Sequence, residues 1–180
     1  RKLTQFQTAS GGFGYWPGDH EVSEWTSIYA GHFMIEAERK GFVPPPGLKD
    51  KWLQYTRREA RDWAPQGNDY WNLDRRELAQ AYRLYVLALA NSAEAGAMNR
   101  MRTTPGLGSQ AQWMLAAAYA LNDRPDVAKE IVKGLSTKVQ PYREMGWTYG
   151  SGLRDEAIIA EALMRMGDKA AEAGVVKRIA

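Results

Sequence analysis

The chain has 180 residues, with 24 Lys and Arg against 21 Asp and Glu and no cysteine, so it contains no disulfide, thiolate metal site or cysteine nucleophile. The formal charge of +3 is small and the basic residues are spread along the chain, which argues against a nucleic-acid partner. No apolar run is long enough to cross a bilayer, so we expect no membrane insertion by this chain.

Helical periodicity recurs along the chain and no period-2 strand is evident, so the sequence predicts an all-α fold. The first helix is predicted over about 23–40, with Trp25, Ile28, Tyr29 and Phe33 on one face, and Gly41 ends it. The other predicted helices cover about 48–63, a stretch starting near Asp74 as N-cap, 93–101, 109–121, a stretch carrying Val127, Ile131 and Leu135, 153–166 and 169–179.

An apolar-rich helix is followed by a more polar amphipathic one four times along the chain. A buried helix paired with a half-exposed helix is what concentric helical layers require. The loops that enter the apolar-rich helices carry Gly and aromatic residues, and they would lie at one end of the molecule because each precedes an inner helix. We therefore expect αα-hairpin repeats in an α/α toroid, incomplete at about four hairpins, and a single helical domain over residues 1–180.

A loop rich in Gly and aromatic residues covers residues 11–18 and precedes the first helix. Glycines next to large aromatics suggest a loop folded onto the helices and not a solvated linker. We expect Phe13 and Trp16 to pack near Trp25 and Tyr29. On that expectation, Trp16→Ala would cost about 3 to 5 kcal/mol of stability.

The histidines and carboxylates offer little support for a catalytic or metal site. His20 and His32 are the only histidines, and His32 with Glu36 four positions on supplies two ligands, fewer than a zinc site needs. We therefore predict no metal and no cofactor. The carboxylates near the predicted loop end fit paired glycosidase acids or simple helix caps, and capping is the favoured interpretation. They are Asp19, Asp69, Asp74 and Asp155.

Three segments in order resemble the thioester-containing domain of bacterial alpha-2-macroglobulins. In the first segment, residues 11–16 match a G-G-F-x-x-W loop and residues 25–30 match the helix that follows it. Residues 78–90 resemble the next inner helix of that family, and residues 149–157 resemble its Y-G-S-x-x-R-D-x-A segment. The resemblance covers nearly the whole chain.

The resemblance implies an α/α toroid within an exported protease inhibitor. Family members entrap an attacking protease, which a reactive thioester then binds covalently. It further implies that this chain is not an enzyme but a helical scaffold that presents or shields the thioester. Its partners would be other domains of the same protein and, through them, target proteases, in the periplasm or at the cell surface with a possible lipid anchor.

The chain departs from the family pattern at two points. It lacks the Cys-x-Glu-Gln motif that forms the thioester, and residues 64–74 contain no histidine of the kind that assists the thioester in vertebrate relatives. No residue of this chain is therefore assigned as a thioester nucleophile.

An aromatic surface is the predicted site of shielding or interaction. Three other functions are alternatives to the inhibitor scaffold: an α/α-toroid polysaccharide hydrolase or lyase, a terpenoid-cyclase-like enzyme with aromatic walls, and a helical-repeat scaffold for protein partners. The predicted surface comprises Phe13, Tyr15, Trp16, Tyr70, Trp71, Trp147 and Tyr149.

Overall fold

The computed structural model describes residues 2–65, 73–146 and 148–180. Within these residues it contains α-helices, one short 3-10 helix at Lys2–Phe6 and isolated bridges but no β-strand, which confirms the all-α prediction. The helices are α1 (Glu24–Arg39), α2 (Leu48–Asp62), α3 (Leu73–Leu89), α4 (Ala95–Arg102), α5 (Ser109–Leu121), α6 (Pro125–Ile131), α7 (Gly152–Met166) and α8 (Lys169–Ile179).

The odd-numbered helices form an inner layer in which each packs on the next. Helix α1 contacts α3, α3 contacts α5, and α5 contacts α7. Helices α2, α4, α6 and α8 pack against this layer, each on the inner helix that precedes it in the chain. This order agrees with the predicted succession of αα-hairpins, and the toroid itself stays a prediction.

The middle of the inner layer is its most deeply buried part. Every residue of α3 from Glu77 to Leu89 is buried, and so is the stretch of α5 from Trp113 to Tyr119. Helix α5 carries alanine at 116, 117 and 118, and these small side chains let its neighbours approach closely. Helices buried on all sides are therefore the ones with inner neighbours on both flanks.

Helices α1 and α2 cross at a glycine. A Cβ added to Gly31 would lie 1.9 Å from Cζ2 of Trp52, well inside contact distance. The Trp52 ring is fully buried, and its Nε1 donates a hydrogen bond to the Ser27 carbonyl oxygen at 2.9 Å. The first hairpin thus depends on a missing side chain at position 31.

Three details of the predicted helices are wrong. Tyr29 and Phe33 are exposed, since α1 buries the neighbouring face that carries Ile28 and Met34. Helix α3 begins at Leu73, so Asp74 lies within the first turn and not at the N-cap. Helix α6 ends at Ile131, before Leu135, because Gly134 adopts a left-handed conformation that a helix does not continue through.

Candidate functional site

The inner layer lines the candidate site, a cavity of about 720 Å³. Helices α1 and α7 contribute most of its lining, while α3 contributes Tyr82 and Tyr85 and α5 contributes Met114. Thr148 and Tyr149, in the loop before α7, complete it. This volume lies within the range of small-ligand sites.

Aromatic rings from α1 and α3 form one wall of the cavity. The Trp25 ring lies 5.1 Å from that of Tyr82, and His32 meets the rings of Tyr82 and Tyr85 edge-on at 5.6 and 5.8 Å. His32 Nδ1 and the Tyr82 hydroxyl are hydrogen-bonded at 2.7 Å. These contacts hold α1 against α3 and leave the ring faces as apolar lining.

Burial sets the protonation of this wall. It lowers the pKa of His32 below its ordinary value, although the nearby carboxylates of Glu36 and Glu161 act in the opposite direction. Burial also raises the pKa values of the Tyr82 and Tyr85 hydroxyls, and the hydrogen bond from Tyr85 to Glu161 raises that of Tyr85 further. At neutral pH the wall is therefore uncharged.

Charged side chains at the cavity edge are paired with one another. The Tyr85 hydroxyl donates to Glu161 Oε1 at 2.6 Å, and Arg165 Nε donates to the same oxygen at 2.9 Å. On α1, Arg39 donates to Glu36 at 2.6 Å. The cavity therefore combines an apolar interior with a rim of neutralised charges.

A buried carboxylate fixes the start of α7. Asp155 is 1 % exposed and accepts hydrogen bonds from Arg154 at 2.7 Å, Tyr142 at 2.7 Å and Gln110 at 3.2 Å. The Arg154 guanidinium carbon lies 5.8 Å from the Trp25 ring centroid, so it also links α7 to α1. Asp155 therefore stabilises the contact between α7 and its neighbours and is not the predicted helix cap. Ser151 caps α7, because its Oγ accepts a hydrogen bond from the Arg154 backbone N–H.

The Gly-rich loop is folded onto the helices, as predicted. Phe13 is fully buried, and its backbone N–H donates to Ser27 Oγ at 2.7 Å. A Cβ on Gly11 would lie 2.4 Å from the Lys51 carbonyl oxygen, so the backbone approaches α2 where only glycine fits.

The prediction that Trp16 packs against the inner helices is wrong. Trp16 is 66 % exposed, because it lies in an exposed tight turn in which its backbone N–H donates to Asp19 Oδ2 at 2.7 Å and the Asp19 N–H donates to the Trp16 carbonyl oxygen at 3.2 Å. Tyr15 and Trp16 meet edge-to-face at 5.3 Å. This part of the loop is exposed, whereas Gly11 and Phe13 hold the earlier part against α2 and α1.

The predicted aromatic surface is partly assembled in the structure. Tyr15 and Tyr149 are exposed, and their hydroxyl groups are hydrogen-bonded at 2.5 Å although 134 residues separate them. Phe13 is fully buried and is not part of this surface. Tyr70, Trp71 and Trp147 lie outside the described residues.

The other candidate residues do not converge on a reactive centre. His32 Nε2 lies 4.0 Å from Glu36 Oε1, and no group of three or more metal-ligating side chains occurs among the described residues. His20 is exposed and Asp19 bonds its own loop. Asp69 lies outside the described residues, and no helix of the described chain is long and apolar enough to span a membrane.

Sequence reasoning missed the cavity and the junction around Arg154. The sequence predicts residues 78–90 only as an inner helix, although the polar hydroxyls of Tyr82 and Tyr85 are a sign of positions at the edge of a cavity. The pair Arg154 and Asp155 belongs to the motif at residues 149–157, which does not itself predict their partners. Which helix Tyr82, Tyr85 and Arg154 face depends on contacts between segments that are distant in the sequence.

Comparison with known proteins identifies bacterial alpha-2-macroglobulins, as the sequence motifs predicted. An alpha-2-macroglobulin of Xylella fastidiosa is 27 % identical over 175 residues, which is 91 % of this chain but only 10 % of that protein. Trypsin-activated alpha-2-macroglobulin from Escherichia coli matches 98 % of the chain with a TM-score of 0.80 and 21 % identity. The Salmonella protein reacted with methylamine matches 99 % with a TM-score of 0.81 and 23 % identity. This chain covers 12 % of each of these two structures, and no protein-family model matches it.

Proposed function

We propose that this chain is the helical scaffold of an exported alpha-2-macroglobulin-like inhibitor that entraps attacking proteases. The chain spans about a tenth of the curated relative that it matches, so the inhibitory activity belongs to the larger protein. In this role the chain is a single helical domain, is not an enzyme, and packs against other domains in the periplasm or at the cell surface.

One observation supports the shielding role most directly: two motif segments from opposite ends of the chain meet at one surface. The G-G-F-x-x-W loop contributes Tyr15 and Trp16, and the Y-G-S segment contributes Tyr149, joined to Tyr15 at 2.5 Å. Exposed aromatic rings on a loop with fixed backbone contacts are suited to cover a reactive group or a neighbouring domain. We propose that this aromatic surface shields a thioester held by a neighbouring segment.

The descriptions of two related structures also support a protease inhibitor that carries a thioester. The Salmonella protein was solved after reaction with methylamine, a small amine that attacks electrophiles such as thioesters. The Escherichia coli protein was solved after activation by trypsin. Both descriptions fit a protein that a protease triggers and that carries an electrophile.

Methylamine incorporation into the natural full-length polypeptide tests the shielding role. Isotope-labelled methylamine should become covalently bound, and Trp16→Ala combined with Tyr149→Ala should accelerate incorporation by about ten-fold, because water and amine then reach the thioester freely. Ala173→Ser, at an exposed position of α8, is the matched control and should leave the rate unchanged. No incorporation at all, or an unchanged rate in the double variant, would contradict the role.

The toroid-enzyme alternative rests on the cavity, where His32, Tyr82 and Arg154 lie together. Against it, Asp155 is buried and held by three donors, which removes the best-placed candidate carboxylate from contact with a substrate. Turnover of a polysaccharide or peptide by the purified chain, abolished by His32→Ala, would favour the enzyme. We expect no turnover.

A further inference from the structure

We propose that Arg154 is a positioning residue that fixes the loop before α7 (residues 132–151), so that Tyr149 meets Tyr15. Arg154 acts through Thr148, the residue that directly precedes Tyr149 in the chain. The consequence of this inference rests on the proposed function, because it names the side chain that holds the proposed aromatic shield in place.

Tyr149 has a backbone conformation that side chains of its size seldom adopt. Its φ angle is 50°, in the left-handed region. Its backbone N–H donates to the Gly146 carbonyl oxygen at 2.8 Å, which closes a tight turn. Such a conformation persists only where the surrounding structure holds it. The contacts that hold this turn therefore determine where the Tyr149 side chain lies.

Arg154 holds the peptide unit that leads into Tyr149. Its Nη1 donates to the Thr148 carbonyl oxygen at 2.9 Å and to Thr148 Oγ1 at 3.0 Å. That carbonyl and the Tyr149 N–H belong to one planar peptide unit. Arg154 therefore fixes one edge of the unit while Gly146 fixes the other, and together they set the direction in which the Tyr149 side chain leaves the loop.

The Arg154 guanidinium is itself held by three partners. Its Nη2 and Nε donate to Asp155 Oδ1 at 2.7 and 3.0 Å, and Nη2 also donates to the Tyr142 hydroxyl at 3.1 Å. The centroid of the Trp25 ring on α1 lies 5.8 Å from the guanidinium carbon. Because the guanidinium is a rigid plane, these contacts leave Nη1 directed toward the Thr148 peptide. Arg154 thus places that peptide relative to α7 and α1.

Glu144 holds the same loop from within. Its Oε2 accepts from Thr148 Oγ1 at 3.0 Å and from the Gly150 N–H at 3.3 Å. A Cβ added to Gly150 would lie 2.8 Å from the Tyr142 hydroxyl oxygen, so the loop is closely packed there. These contacts fix the shape of the loop, but Glu144 belongs to the loop and moves with it. Arg154 belongs to α7 and joins the Thr148 peptide to the helices.

The contact between Tyr15 and Tyr149 depends on this arrangement. Both residues are exposed, so their hydrogen bond at 2.5 Å competes with water and contributes little to holding two distant segments together. When Arg154 fixes the Thr148 peptide in advance, Tyr149 reaches Tyr15 without the cost of ordering its loop. The hydrogen bond with Tyr15 raises the pKa of the Tyr149 hydroxyl, which gives the contact a chemical signature.

Nitration of Tyr149 by tetranitromethane tests the proposal in the 180-residue chain, with mass spectrometry of the peptide that carries residue 149. Arg154→Lys keeps a positive charge beside Asp155 but lacks the fork that binds Thr148, Tyr142 and Asp155 together. We expect nitration at least about three-fold faster in this variant, because phenolate is the reacting form and loss of the hydrogen bond lowers the pKa of Tyr149. An unchanged rate would overturn the proposal.

Tyr15→Phe distinguishes positioning from a general loosening of the loop. It removes the hydroxyl group that Tyr149 contacts, so it should accelerate nitration of Tyr149 by a similar factor. Combined with Arg154→Lys it should give no further acceleration, because both changes remove the same contact. Accelerations that multiply would show that Arg154 acts independently of Tyr15, which also overturns the proposal.

Arg178→Lys is the matched control. Arg178 donates to Glu156 Oε1 on α7 at 2.8 Å and to the Thr137 carbonyl oxygen at 2.5 Å, so it joins the same loop to the same helix at another place. It should leave nitration of Tyr149 unchanged. An acceleration as large as that in Arg154→Lys would show that any lost contact along the loop frees Tyr149, and would overturn the specific role of Arg154.

A second variant covers the case in which Arg154→Lys fails to fold. Arg154→Met combined with Asp155→Asn removes both charges, so no unpaired carboxylate is left buried. The new amide oxygen can still accept from Tyr142. This double variant should show the same acceleration of Tyr149 nitration, and an unchanged rate in the folded double variant would overturn the proposal.

Methylamine incorporation by the natural full-length polypeptide separates this proposal from the proposed function. We expect Arg154→Lys to accelerate incorporation together with nitration of Tyr149. Faster nitration with unchanged incorporation would support the positioning of Tyr149 and contradict the shielding role. Unchanged nitration would overturn the positioning role whatever the rate of incorporation.

Discussion

Phe13 and Trp16 lie three positions apart in one loop and have opposite environments. Phe13 is fully buried against α1, whereas Trp16 is 66 % exposed. A large aromatic side chain contributes to stability only to the extent that its surface leaves water. Within this one loop, Phe13 therefore anchors the chain to the helices, whereas Trp16 belongs to the surface.

We predict that Phe13→Ala lowers the free energy of unfolding by about 3 to 5 kcal/mol, as expected for a truncated core aromatic. Trp16→Ala should change it by less than about 0.5 kcal/mol, as is usual for an exposed position. Urea denaturation followed by circular dichroism measures both. A loss on Trp16→Ala as large as that on Phe13→Ala would contradict the surface placement of Trp16.

The half-buried imidazole of His32 makes stability depend on pH. Its pKa is lowered in the folded chain by burial, while the unfolded chain protonates at the ordinary value near 6.5. As pH falls below that value, the unfolded state binds the proton first, so stability decreases until the folded state is protonated too. The loss should therefore begin just below pH 6.5.

We predict that the melting temperature of the chain falls more between pH 7 and pH 5 than that of His32→Gln, which cannot titrate. His20→Gln is the matched control, because His20 is the only other histidine and is exposed. Equal pH dependence of His32→Gln and the unaltered chain would show that His32 is not the group responsible.

At the scale of elements, the crossing of α1 and α2 depends on Gly31. We predict that Gly31→Ala destabilises the chain by about 1 to 3 kcal/mol, because the added methyl group overlaps the fixed Trp52 ring. Gly174→Ala in α8 is the matched control, since nothing lies within 4 Å of the added carbon. It should stabilise the chain by about 0.5 to 1 kcal/mol through helix propensity. Urea denaturation in which both variants changed alike would refute the packing argument.

Helix positions follow from local chemistry and were largely predictable. Helix α5 covers the predicted span, and Gly167 in a left-handed conformation ends α7 where its sequence suggests. The orientation of α1 was less accessible, because Tyr29 and Phe33 share a helical face with Trp25 and periodicity alone does not show which part meets α3.

At the scale of the whole molecule, the site depends on contacts that local sequence does not encode. Tyr15 meets Tyr149, and Arg154 meets Trp25, across most of the chain. The family motifs located these segments correctly but did not show that they meet, and the cavity exists only because α1 and α7 lie on either side of α3 and α5.

The continuous core from α1 to α8 predicts that the chain behaves as a single domain. Buried residues of all eight helices belong to one hydrophobic cluster in the described chain. Thermal unfolding followed by far-ultraviolet circular dichroism and by tryptophan fluorescence should therefore give one coincident transition. Two separated transitions would indicate independent units and would contradict the single-domain proposal.

Protease entrapment by the natural full-length polypeptide tests the central claim most directly. After incubation with trypsin, hydrolysis of a large protein substrate and of a small chromogenic peptide are measured on the same sample. We predict that cleavage of the large substrate is strongly reduced while cleavage of the small peptide persists, because an enclosed protease excludes large substrates by size. Equal cleavage of the large substrate with and without the polypeptide would contradict the proposed role of this chain in an entrapping inhibitor.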